Sequence, residues 1–139
     1  MELLTILAAD YANIAEGGKL NVMGIFRNIN GTIFPTRIPS MHLVIKLGAE
    51  LGEYGQTREL TIKLFDPDGK EVVVITGPIE VPNAKNAQRP EVNAVLELRD
   101  IVFQTPGRYQ FCVIVDKDHK GALSLDVFQV SNPADQKPV

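Results

Sequence analysis

With 139 residues, 45% of them hydrophobic and 22% charged, the chain is long enough for one domain with a sizeable core and too apolar for wholesale disorder. Seventeen acidic residues against fourteen basic ones give a net charge of -3, and no basic run exceeds a pair. That balance argues against nucleic acid and against an anionic membrane surface as partners.

The first segment, MELLTILAADY, has no basic stretch ahead of its apolar residues and meets Glu2 and Asp10 early, unlike a secretory signal. No stretch approaches 18 apolar residues, so no membrane-spanning helix is expected and cytoplasmic residence is the default. Leu3, Leu4, Leu7, Tyr11 and Ile14 fit a helical spacing, with Gly17 as its terminator. The next run, KLNVMGIF, puts Leu20, Val22 and Phe26 on one face, and the Gly-Gly between the two runs suits a hairpin. The strand reading is favoured and the helix stays open. EGGKL, at residues 16–20, is not a phosphate loop: Leu20 stands where Ser or Thr would follow the lysine, and a strand pattern follows where a helix N-terminus is needed.

GIFRNINGTIFPTRIP, residues 24–39, reads as an apolar loop restrained by Pro35 and Pro39. Next, Met41, Leu43, Ile45 and Leu47 alternate along one strand, with His42 on the opposite face, toward solvent or at an edge. Leu60, Ile62 and Leu64 alternate against Glu59, Thr61 and Lys63; the turn DPDGK and the run EVVVIT complete a β-hairpin over residues 57–77. Residues 83–90 form a polar loop. AVLELRD, GRYQFCVIVD and GALSLDVFQV supply further alternating strands, the last two joined by the turn DKDHKG. Within YQFCVIV, the lone Cys112 allows no intrachain disulfide and reads as a small buried hydrophobe. The sum is an all-β, antiparallel sandwich of about eight strands over residues 1–130, its strand order open, with a flexible tail at 131–139.

The segment AVLELRDIVFQTPGRYQFCV resembles the turn between strands E and F of immunoglobulin-like domains, through Gly107, Tyr109 and Phe111. That resemblance implies an immunoglobulin-like sandwich in which Tyr109 forms the tyrosine corner and Phe111 stands in the place of a disulfide cysteine. The segment ADYANIAEGGKLNVMGIF resembles the opening of a family of short bacterial proteins of unknown function, through Ala9, Asp10, Tyr11, Gly18, Lys19, Leu20, Gly24 and Phe26. It implies a β-sandwich and no known activity.

Chemistry is sparse. The acidic turns DPDGK and DKDHK fall short of a calcium loop, and Asp116, Asp118 and His119 make at most half a metal site. His42 and His119 are the only histidines, and neither has an evident nucleophile or orienting partner. No catalytic residue, metal or cofactor is therefore assigned. The expected function is a non-enzymatic protein-binding or assembly module acting through loops or an edge strand, its partner an unidentified protein or a second copy. Ile29, Ile33, Phe34 and Arg37 are the weak candidates for partner contact. The alternative is a small-ligand or metal-dependent enzyme with its site in the loops at one end of the sandwich.

Overall fold

Period-two alternation becomes nine strands in the computed structural model, which describes residues 1–131. They are β1 (Glu2–Ile14), β2 (Leu20–Phe26), β3 (Asn28–Gly31), β4 (Thr36–Gly48), β5 (Thr57–Phe65), β6 (Glu71–Glu80), β7 (Glu91–Phe103), β8 (Gly107–Val115) and β9 (Asp118–Gln129), with one short 3-10 turn at Leu51–Glu53. Two sheets form, in the orders β2-β1-β4-β7 and β3-β9-β8-β5-β6. The first segment is a strand throughout, so its helical spacing loses to pairing with β2 and β4. The tail expected at 131–139 lies, beyond Ser131, outside the described residues.

The core lies between the sheets. Met41, Leu43, Ile45 and Leu47 of β4 are fully buried against Ile62 and Leu64 of β5, Phe111 and Val113 of β8 and Leu125 of β9. Phe111 sits in register between Leu64 and Leu123, so an apolar ring fills the middle of the second sheet. Strands β5, β8 and β9 lie side by side in the second sheet. The Tyr109 hydroxyl donates to the Thr105 carbonyl at 2.8 Å, and its ring stands edge-on to Phe103 at 4.9 Å. Tyr109→Phe keeps the ring and strands that carbonyl, and a loss of about 1–2 kcal/mol is expected in urea unfolding at unchanged m-value.

Two expectations need correction. The second sheet is not purely antiparallel, because β3 runs parallel to β9. Only Arg27 separates β2 from β3, so the chain crosses from one sheet to the other there, and the Arg27 carbonyl accepts the Asp126 N–H at 2.8 Å. Residues 28–31, read as loop, thus form the ninth strand, and β4 begins inside the same stretch at Thr36. Pro39 fits within β4 because residues 36–40 pair with β7 alone.

The second correction concerns His42, which is 8% exposed rather than solvated or at an edge. Strand β1 pairs with β4 only as far as Ala9 opposite His42, and then continues with β2 as a two-stranded arm. The arm turns back over the outer face of the first sheet. Its tip carbonyl, Gly18 O, accepts from Asn93 Nδ2 of β7 at 3.0 Å, although Asn93 lies four positions along the ladder from Glu97, the partner of His42. Under the arm, Ala9, Ala12, His42 and Val44 are buried although none belongs to the inter-sheet core. Tyr11 stands edge-on to the imidazole at 5.1 Å, and Nδ1 lies 3.3 Å from the Asp10 carbonyl.

Gly24 makes the bend. Its φ is +69°, and a Cβ there would lie 2.3 Å from the Asp10 carboxylate. Gly24→Ala is expected to cost about 1–3 kcal/mol. It should also speed amide exchange in residues 10–23 while core amides of β5 and β8 keep their protection; uniform loss of protection would show that the arm is not a separate unit.

Candidate functional site

A sandwich offers partners its loops, its outer faces and its open edges, and the edges differ in how they are guarded. Four strands close the two sheets: β2 and β7 on the first, β3 and β6 on the second. Strand β3 has four residues, and β2 is bent at Gly24. Strand β7 carries Glu91, Glu97, Arg99 and Asp100, the last at φ 55°, so charge and a local kink discourage pairing. Strand β6 is different. From Val72 to Gly77 it reads VVVITG, without a charge, and pairs with β5 along one side only.

The backbone of β6 can be followed through Pro78. Proline is tolerated on an edge strand when its nitrogen faces away from the ladder, and Pro78 stands opposite Glu59 of β5. Val74 and Thr76 share its parity, so their N–H and C=O groups face the free side. Their side chains lie on the outer face, where Val74 is 50% exposed, while Val73, Ile75 and Ile79 turn in against the core. A register shift where β6 meets Phe65 of β5 leaves the regular part of β6 from Val73 onward.

A cleft of about 380 Å³ opens beside this edge, lined by Lys70, Glu71, Val72 and Val73 together with Asp100, Ile101, Val102 and Gln104 across the gap. A second, of about 490 Å³, lies at the other end of β6 between Thr76–Pro78 and Thr57–Glu59 and includes Asp116. Several of their charged groups are engaged. Asp116 accepts the Glu59 N–H at 2.9 Å and Arg58 Nη1 at 2.8 Å, and these two contacts hold its carboxyl below the usual range. Asp66 accepts the Asp68 and Lys70 N–H groups and closes the DPDGK turn. Among the described residues, no three His, Cys, Asp or Glu side chains converge on a cation site. Cys112 faces outward in β8 but stays buried, and burial pushes its thiol up, with Lys63 pulling weakly the other way.

The loop candidates are dispersed. Ile29 is buried in β3 as part of the core, and Phe34 packs against that core from the side. Ile33 is 76% exposed. Arg37 is exposed at the start of β4 and paired with Asp100 of β7. Ile33 and Arg37 therefore remain surface groups, while Ile29 and Phe34 anchor the segment. Tyr11, Met23 and Ile25 are also exposed, along the arm. The sequence contained the signal for the β6 edge in EVVVIT, but the run reads equally well as an interior strand until the pairing is known.

The fold and its open edges define a small all-β sandwich. The chain belongs to a family of unknown function, DUF6941, which matches residues 4–128. No curated protein matches it. Among solved structures it is similar to the Pseudomonas fluorescens alkylpurine DNA glycosylase AlkC bound to DNA containing an abasic site analog, at 14% identity and a TM-score of 0.44 over 73% of this chain and 27% of that one. It is similar also to a β-glucosidase from Listeria innocua in complex with isofagomine, at 10% identity and a TM-score of 0.49 over 92% of this chain and 16% of that one. The chain thus spans well under a third of either protein. Among the described residues no helix is long and apolar enough to cross a membrane.

Proposed function

We propose that the protein is a non-enzymatic binding or assembly module, and that it engages its partner through the free edge of β6. The observation that carries this reading is the uncharged run Val72–Gly77 on an open edge, when the other three edges are short, bent or charged. Such an edge presents unpaired backbone groups to which another strand can add, with affinity from main-chain hydrogen bonds and selectivity from alternate side chains. We propose also that the protein resides in a bacterial cytoplasm, on the resemblance carried by residues 9–26.

The test is cross-linking in native lysate with wild type, Val74→Lys, and the loop variants Ile33→Ala and Arg37→Ala. Val74 is half-exposed, so a lysine there guards the edge without disturbing the core. Val74→Lys should abolish every specific cross-linked species, homodimer included, and the loop variants should leave them in place. The reverse pattern would move the site to the segment at 32–37.

A further inference from the structure

The β6 edge also says what kind of strand fits it, an inference that rests on the edge being the binding surface. Antiparallel addition is the arrangement a second copy can make with closed two-fold symmetry, because the same surface then serves on both sides. The charges at the ends of β6 favour it. Lys70 stands just before the strand and Glu80 ends it, and neither side chain has an ion-pair partner among the described residues. Five of the six arginines, by contrast, are paired with carboxylates.

We infer that β6 pairs antiparallel with β6 of a second copy, across a two-fold axis through Ile75, to join two five-stranded sheets into one of ten strands. With Ile75 on the axis, Val74 of each copy stands opposite Thr76 of the other. These are the residues whose backbone groups face the free side, so both exchange hydrogen bonds in full. Pro78, which has no N–H to offer, falls opposite Val72 at the irregular end of the strand. Glu80 of each copy arrives beside Lys70 of the other, which places opposite charges together at both ends of the pairing. A parallel or shifted pairing loses that match. On the outer face, Val74 meets the Thr76 methyl, a β-branched pair of the kind that stabilises neighbouring strands.

Sedimentation of the full chain over a range of concentrations tests this. Wild type should move from the 15.3 kDa monomer toward twice that mass as concentration rises. Val74→Lys should stay monomeric with an unchanged melting curve. Lys70→Glu and Glu80→Lys should each weaken association at least tenfold, and the double exchange should restore it, which a merely structural role for either residue would not do. Equal weakening in the double variant would overturn the register. A wild type that stays monomeric at all concentrations would overturn self-pairing; if Val74→Lys still removes cross-linked species from lysate, the edge holds a foreign strand and the binding reading stands. If Val74→Lys changes neither, both fail.

Discussion

Phe111→Ala is expected to lower stability by about 3–5 kcal/mol, read as a fall in the urea midpoint with unchanged slope. The reason is local. Phe111 is fully buried, stands between Leu64 and Leu123 in the second sheet, and faces the fully buried row of β4. Removing its ring leaves a cavity that strands held by ladders on both sides cannot collapse to fill. Phe111→Leu keeps most of the volume and should cost clearly less, about 1.5 kcal/mol or below. Similar losses for the two variants would mean that the centre of the core relaxes, and that the apolar ring does not substitute here for a cross-link.

Phe111 was legible because Tyr109, Phe111, Val113 and Val115 recur at every second position, and the same holds for Met41–Leu47 and for Leu60–Leu64. Period two is a local property: each strand announces which face it buries. What remained hidden depends on where the strands go. The crossing at Arg27 puts β3 beside β9, nearly a hundred residues away, and no local spacing encodes that contact. The arm was hidden for a related reason. Apolar residues of both parities in β1 mimic a helix stripe, because β1 buries one face in the inter-sheet core and its far end lies over the outer face. Asp10, Tyr11, Gly18 and Gly24, residues on which the family resemblance rests, turn out to form the bend, the cover over His42 and the tethered tip.

The candidate site was hidden in the same way. EVVVIT reads as a strand from its composition, but whether a strand is central or open is a fact of topology. The loop at 24–39 mixes apolar residues with Asn and Arg, as a contact surface would; in the fold two of its four candidates, Ile29 and Phe34, serve the core. An uncharged apolar run next to a Pro that can only sit on an edge was the available signal, and Pro78 two residues after Thr76 supplies it.

Glu53→Gln is expected to destabilise the fold by about 2–3 kcal/mol, somewhat less than the loss of one partner from a fully buried pair. Glu53 Oε1 lies 2.7 Å from the N-terminal amine of Met1, whose side chain is fully buried, and accepts the Glu50 N–H at 2.8 Å; Oε2 lies 3.5 Å from Arg58 Nε. A neutral amide there leaves the ammonium without its counter-charge and Arg58 with Asp116 alone. The pH dependence follows from the same contacts. Burial works against ionisation of Glu53, but the ammonium, the Glu50 N–H and Arg58 together outweigh it and hold the carboxyl below its ordinary value. Folding therefore depresses this titration, so the stabilisation is complete above the unfolded carboxyl's range and drains away as the pH falls through the lower, folded one. Asp116, held down by the Glu59 N–H and Arg58, adds to the loss over the same acidic window. Wild type should thus lose stability steeply on acidification, and the gap between it and Glu53→Gln should narrow as it does. A gap that stays constant from neutral pH into the acid range would show that the carboxylate contributes packing alone, and that the N-terminal anchor is held by the apolar contacts of Met1 in the core.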